Sequence, residues 1–127
     1  MGGAAEPYAL QAAIAAVHGR ARTADATDWP RIAALYAVLA RVAPSPVVEL
    51  NRAVAVSMAD GPAAGLELVD GLDGRLDNYY LLASVRGDLL AKLGRPAEAR
   101  AEFERAAGLT ANERQRDLLL ARAQGCA

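Results

Sequence analysis

Two stretches of this chain repeat one pattern of small and large residues at an offset of 34 positions. Residues 46–72 (PVVELNRAVAVSMADGPAAGLELVDGL) align with residues 80–106 (YLLASVRGDLLAKLGRPAEARAEFERA). The offset pairs Arg52 with Arg86, and a small residue follows each arginine. Each stretch is interrupted by a glycine that closely precedes a proline, which is typical of one helix ending and another beginning. Each copy therefore predicts a helix, a tight turn and a second helix.

The rest of the chain is also predicted to be helical. Hydrophobic residues make up 54% of the sequence and many are alanine, the best helix former. No segment shows the two-residue alternation of a half-buried strand. The expected helices lie at 6–22, 29–42, 46–59, 62–72, 77–93, 96–109 and 112–124.

Several residues are placed to cap these helices. Ser45 precedes Pro46, a residue suited to the first turn of a helix. Either Thr27 or Asp28 can cap the second helix. For the last helix, Thr110 and Glu113 have the spacing of a capping box, with Asn112 as a competing cap.

A helix–turn–helix unit of 34 residues has the period of tetratricopeptide repeats. The second copy resembles that family best, through Gly87, Leu90, Gly94, Ala99, Phe103 and Ala106. Small residues let two helices approach closely, while a large residue fills the space beyond them. The copy departs from the family at Ala83, where an aromatic residue is usual, and at Ala111, where a proline usually ends the repeat. We predict an all-α, tetratricopeptide-like superstack of antiparallel helix pairs.

The predicted organisation is one helical-repeat domain over residues 6–127, after a disordered tail or cloning remnant at 1–5. The domain divides into a degenerate repeat at 6–43, repeats at 46–75 and 77–110, and a capping helix at 112–125. Repeat arrays need such a cap to shield the last apolar face from water.

Charge and composition exclude several classes of function. The net charge is −1, from 14 basic and 15 acidic residues with no block of one sign, so we expect no direct binding to nucleic acid. Cys126 is the single cysteine, which excludes a disulfide framework within the chain. Apolar runs are too short to span a membrane, and no secretory signal precedes the first helix. We expect a cytoplasmic protein, whose oligomeric state the sequence leaves open.

No catalytic or metal-binding constellation can be assembled from the sequence. His18 is the only histidine, and it lies near the end of the first helix, where an imidazole suits the helix dipole. Asp70, Asp73 and Asp77 suggest a calcium loop, but the glutamate that closes an EF-hand loop is absent. We therefore expect no enzyme activity, no metal and no cofactor.

The remaining candidate site is a groove. In tetratricopeptide arrays, the first helix of each repeat lines a concave face that binds peptides or partner helices. On this chain that pattern gives Val47, Leu50, Val54, Ser57, Met58, Leu81, Ser84, Asp88, Ala91 and Lys92. The members from the first repeat would form a large apolar patch if they were uncovered. Either a partner or the N-terminal helix pair is expected to cover them.

Polar residues inside the apolar stretch 46–58 suggest a second, structural role. The candidate polar network consists of Glu49, Asn51, Arg52, Arg86 and Asp88. Glu49 precedes Arg52 by three positions, so the two side chains share a helix face. We predict that Arg52 bridges helices through a carboxylate or helix-end carbonyls, and that Asn51 bonds a neighbouring backbone.

Three segments carry a more specific resemblance. EPYALQAAIAAVHGRA (6–21), TDWPRIAALYAVLARVAPSPVVELNRAVAV (27–56) and LLAKLGRPAEARAEFERA (89–106) are similar to a C-terminal extension with tetratricopeptide-like repeats. That extension belongs to a group of bacterial extracytoplasmic-function, sigma-24-like RNA polymerase sigma factors. The resemblance extends over residues 6 to 125.

This resemblance implies the regulatory tail of a transcription initiation factor. Its expected partners are the protein's own sigma domains, core RNA polymerase or a regulator. The sigma domains are absent here, so we expect an excised domain or a truncated product. Two alternatives stay open: a generic tetratricopeptide-like adaptor, and a sensor of a small ligand or peptide with a pocket around Tyr36, Asn51 and Arg52.

Overall fold

The computed structural model describes residues 6–20, 27–72, 76 and 78–126. Within these residues the chain forms seven helices and no strand, which confirms the all-α prediction. The helices are α1 (Glu6–Arg20), α2 (Trp29–Val42), α3 (Pro46–Asp60), α4 (Pro62–Asp70), α5 (Tyr80–Lys92), α6 (Pro96–Leu109) and α7 (Glu113–Gln124). The predicted tail at 1–5 lies outside the described residues.

Local side-chain chemistry starts the second and third helices. The Asp28 carboxylate accepts a hydrogen bond from the Arg31 N–H at 3.2 Å, and the Ser45 hydroxyl accepts one from the Val47 N–H at 3.2 Å. Each bond satisfies an N–H group that has no partner inside the helix. The glycines that predicted the two intra-repeat turns, Gly61 and Gly94, both have positive φ, at 105° and 75°.

Some predicted boundaries differ from those observed. The first helix of the second repeat begins at Tyr80 rather than at 77, and α4 ends at Asp70 rather than at 72. The capping box from Thr110 to Glu113 does not form. Thr110 ends α6, and its hydroxyl accepts the Asn112 N–H at 3.2 Å. Asn112 is the cap of α7 instead, because its side chain accepts the Gln115 N–H at 2.9 Å.

Two antiparallel helix pairs pack at very short range, as the small residues predict. A Cβ atom added at Gly65 of α4 would lie 2.5 Å from the Ser57 Cβ and 2.9 Å from the Ala53 carbonyl oxygen of α3. A Cβ atom added at Gly87 of α5 would lie 2.9 Å from the ring of Phe103 on α6. Phe103 is buried and fills the space that Gly87 leaves.

The apolar character of α3 results from burial on two sides. Leu50 and Ala53 belong to the larger core cluster, which they form with residues of α4 to α7. Ala55 belongs to a second cluster with residues of α1 and α2, and the half-buried Val48 packs against it. A helix covered on two sides needs apolar residues around most of its circumference. This explains why charged residues are so few in 46–58.

Candidate partner groove and a second cleft

A groove of about 340 Å³ runs across α3, α5 and α7. We call it the α3–α5–α7 groove. Its lining residues are Val54, Ser57, Met58, Ser84, Val85, Asp88, Leu89, Lys92 and Arg122. Helices α3 and α5 are the first helices of the two predicted repeats, as expected of a concave face, and the capping helix α7 adds a residue that the prediction did not include.

Six of the predicted groove residues line this groove, namely Val54, Ser57, Met58, Ser84, Asp88 and Lys92. Four others do not: the exposed Ala91 of α5 lies outside the lining, as do Leu50, Val47 and Leu81. Leu50 is only 2% exposed, because it packs into the larger core cluster. Val47 lines a different cleft, and Leu81 is 36% exposed on α5 but is not part of the lining.

The apolar side of the groove is open to solvent in the described structure. Val54 is 36% exposed and Met58 is 42% exposed. The N-terminal helix pair does not cover them, because α1 and α2 pack around Ala55 and Val48 on another side of α3. The sequence left a partner or the N-terminal helix pair to cover the apolar patch. For Val54 and Met58, coverage by the N-terminal helix pair is therefore excluded.

Three charged side chains form the other side of the groove. Asp88 Oδ1 accepts a hydrogen bond from Arg122 Nη2 at 2.7 Å, and Asp88 Oδ2 lies 3.0 Å from Lys92 Nζ. The Arg122 guanidinium also lies over the Phe103 ring, 4.4 Å from its centroid. The cation–π contact and the ion pair hold Arg122 in place. One carboxylate faces two cations, so the cluster carries a net positive charge.

The ionisation of Asp88 reflects two opposing effects. Burial alone would raise the pKa of its carboxyl, since desolvation disfavours the charged form. Hydrogen bonds and charge attraction from Arg122 and Lys92 outweigh burial and hold the pKa of Asp88 below its ordinary value. Asp88 is therefore negatively charged at neutral pH and keeps both cations in position.

The repeat period explains why these residues meet. Val54, Asp88 and Arg122 are separated by 34 residues at each step, so they occupy one repeat position on α3, α5 and α7. Equivalent positions of stacked repeats lie next to one another. Arg122 was absent from the predicted groove, together with Val85 and Leu89. Applying the same offset to Asp88 would have found Arg122.

The predicted role of Arg52 is wrong. Arg52 Nη1 lies 3.5 Å from Glu49 Oε2 within the same helix, and no hydrogen bond or ion pair connects Arg52 to another helix in the described residues. Asn51 is exposed and makes no hydrogen bond to a neighbouring backbone there. Asp88 pairs with α7 and with its own helix rather than with Arg52.

Arg86, the counterpart of Arg52, makes the bridge between helices. Its Nε donates to Asp70 Oδ1 at 3.0 Å, and its Nη1 donates to Glu102 Oε1 at 3.1 Å. Because Asp70 ends α4 and Glu102 lies on α6, Arg86 of α5 joins two repeats. The Glu102 side chain is only 12% exposed, and its second oxygen lies 3.9 Å from Arg105 Nη1. The ion pairs therefore compensate a largely buried carboxylate.

A second cleft, of about 450 Å³, lies between α1, α2 and α3. We call it the α1–α2–α3 cleft. Its polar lining residues are Gln11, His18, Tyr36, Ser45 and Asn51. Tyr36 and Asn51, two of the three residues predicted around a sensor pocket, meet here, while Arg52 is not part of the lining. His18 contacts Trp29 edge-on, with ring centroids 5.2 Å apart.

The structure adds two findings on metals and membranes. In the described part of the chain, no group of three or more His, Cys, Asp or Glu side chains is placed to hold a metal ion. Asp73 and Asp77 of the rejected calcium loop lie outside the described residues. None of the helices in the described ranges is long and apolar enough to cross a membrane.

A relative of this chain is known from Rhizobium meliloti (strain 1021). The two sequences are 53% identical over 106 residues, and the relative is an uncharacterized protein. The match covers 84% of this chain but only 25% of the relative, so the chain spans about a quarter of that protein's length. No protein-family profile and no solved structure matches the chain.

Proposed function

We propose that this chain is a regulatory protein-interaction domain and that its partner binds in the α3–α5–α7 groove. The observation that carries the proposal is the composition of the groove. Exposed apolar side chains of Val54 and Met58 lie beside a cationic cluster, which the ion pair between Asp88 of α5 and Arg122 of α7 holds in place. Apolar residues next to fixed charges are typical of a surface that recognises a polypeptide.

The groove also defines the chemistry of its partner. Apolar side chains of the partner would cover Val54 and Met58 and remove their surface from water. A carboxylate of the partner would meet Lys92 and Arg122, because Asp88 neutralises only one of these two charges. We therefore expect a partner segment with apolar residues followed or preceded by an acidic residue.

The resemblance to sigma-factor tails suggests where such a segment comes from. On this proposal the domain binds sigma domains of its own polypeptide, core RNA polymerase or a regulator, and it acts by binding rather than by catalysis. The Rhizobium relative supports a modular arrangement, since this chain matches only about a quarter of it. Such a domain would act in the bacterial cytoplasm, where transcription takes place.

The test is a binding experiment with a matched pair of variants. The chain is immobilised and exposed separately to core RNA polymerase of Rhizobium meliloti and to the portion of the relative outside the matched segment. Val54→Asp places a charge in the groove, whereas Val38→Asp places the same charge on α2. Both valines are 36% exposed in the folded chain, so the two substitutions are closely comparable.

We expect the unmodified chain and Val38→Asp to retain at least one of these proteins. Val54→Asp should bind at least about tenfold more weakly, which corresponds to about 1.4 kcal/mol. Retention of neither protein would refute the transcriptional part of the proposal. Equal binding by the two variants would show that the partner docks elsewhere.

A further inference from the structure

The α1–α2–α3 cleft is a separate feature, since it shares no lining residue with the α3–α5–α7 groove. Its floor is apolar: Ile14 and Leu39 are buried, and Val48 is half-buried beside them. Its volume of about 450 Å³ is within the range of small-molecule sites. An apolar floor with a few polar side chains around it is the usual composition of such sites.

The polar side chains of the cleft have unused hydrogen-bonding capacity. In the described structure, the exposed amides of Gln11 and Asn51 and the half-buried hydroxyl of Tyr36 have no hydrogen-bond partner within the protein. Each amide offers both a donor and an acceptor. Burial raises the pKa of Tyr36, so its hydroxyl keeps its proton at neutral pH and can donate.

The lining contains no residue with a permanent charge. A ligand with a carboxylate or phosphate would lose part of its hydration here, and the imidazole of His18 is the single lining side chain that could become an ionic partner, which disfavours binding relative to an uncharged ligand. An uncharged ligand avoids that penalty. A ligand amide presents a donor next to an acceptor, which matches the side-chain amides of Asn51 and Gln11.

We propose that the α1–α2–α3 cleft binds an uncharged aromatic molecule that carries a carboxamide or an equivalent donor–acceptor edge. The ring packs against the aliphatic lining, chiefly against Val47, which is 42% exposed, and the half-buried Val48. The polar edge exchanges hydrogen bonds with Asn51, Gln11 and Tyr36. This site is independent of the partner groove, so either one can fail its test without affecting the other.

Two probes that differ only in charge test this proposal directly. Indole-3-acetamide is neutral, whereas indole-3-acetate has almost the same shape and carries a carboxylate. Each probe is titrated to millimolar concentration while protein resonances are followed by NMR. We expect the amide to bind with a dissociation constant of about 1 mM or tighter, and the acid to bind at least about tenfold more weakly.

Variants then locate the binding site. Asn51→Leu should weaken binding of the amide at least about tenfold, and Tyr36→Phe, which removes only a hydroxyl, should weaken it severalfold. Ser57→Ala in the α3–α5–α7 groove is the control and should leave the affinity unchanged. Absence of amide binding, equal affinity for the two probes, or unchanged affinity in both Asn51→Leu and Tyr36→Phe would overturn the proposal.

Discussion

Replacing Gly65 with alanine tests the close packing of the first predicted repeat. The added methyl group would lie 2.5 Å from the Ser57 Cβ and 2.9 Å from the Ala53 carbonyl oxygen. Neither atom is the end of a flexible side chain, so α3 and α4 must move apart. Overpacking of this kind costs about 1–3 kcal/mol, and contact with a backbone oxygen favours the upper end.

The expected change in stability is the balance of two terms. Alanine gains up to about 1 kcal/mol over glycine in a helix interior, which offsets part of the overpacking. We therefore expect Gly65→Ala to lower the free energy of unfolding by about 2 kcal/mol. For a chain of this size that corresponds to a fall in Tm of about 8 °C.

Gly108 provides the matched control for this experiment. It lies in α6, and no atom lies within 4 Å of a Cβ added there. Gly108→Ala therefore has only the helix-propensity term and should raise the free energy of unfolding by about 0.5–1 kcal/mol. Thermal and urea unfolding followed by circular dichroism measure both variants. An increase in stability for Gly65→Ala similar to that of Gly108→Ala would refute the close helix approach.

Three further outcomes are expected. Arg86→Met should destabilise the fold by about 1.5–3 kcal/mol, because it removes the closer of the two cations that pair with the largely buried Glu102 carboxylate. Arg52→Met should cost less than about 0.5 kcal/mol, and equal losses for the two variants in urea unfolding would contradict this difference. The stability that Asp88 contributes should be fully present above its unfolded pKa of about 3.9 and should disappear as the pH falls through its lower folded pKa. A difference in the free energy of unfolding between the unmodified chain and Asp88→Asn that stays constant down to pH 2 would be inconsistent with this. Gly87→Ala should destabilise the chain less when Phe103 is also replaced by leucine, because the smaller side chain leaves room for the added methyl group. Strict additivity of the two substitutions in a double-mutant cycle would argue against close contact between position 87 and the Phe103 ring.

Much of the fold could be predicted because local chemistry determines it. Asp28 and Ser45 cap their helices, and the glycine before each intra-repeat proline ends a helix, as the sequence indicates. The close approach of the paired helices also follows from the sequence. The offset of 34 aligns Ala53 with Gly87 and Gly65 with Ala99, so both helices of each pair carry a small residue. The start of α7 was harder to predict, because the sequence offers both Thr110 and Asn112 as caps. Thr110 is the residue that ends α6, which leaves Asn112 to cap α7.

The polar network could not be predicted from the repeat alone. The offset places Arg52 and Arg86 at one repeat position, but it says nothing of the residues around them. Glu102, which pairs with Arg86, has Leu68 as its counterpart one repeat earlier. Arg52 therefore has no carboxylate at the equivalent position of α4, and it pairs within α3. Comparing the surroundings of both arginines at the same offset would have shown this difference.

The lining of the candidate groove was likewise predictable from the repeat period only in part. Leu50 and Ser84 occupy equivalent positions, yet Leu50 packs into the core while Ser84 lines the groove. The repeat period assigns both residues to the first helix of a repeat, but how far each side chain is buried depends on the neighbouring helices. The second covered side of α3, packed against α1 and α2, has no periodic pattern that would have revealed it.

The most direct measurement of the proposed function is site-specific photo-crosslinking from the α3–α5–α7 groove. A benzophenone amino acid replaces Met58, which is 42% exposed in the groove, and in a control chain it replaces Val42, which is 37% exposed on α2. Each chain is irradiated with core RNA polymerase and with the portion of the Rhizobium relative outside the matched segment. We predict a crosslinked product from position 58, mapped by mass spectrometry to an apolar segment with an acidic residue, and none from position 42. Crosslinking from position 42 alone, or from neither position, would contradict the assignment of the partner to this groove.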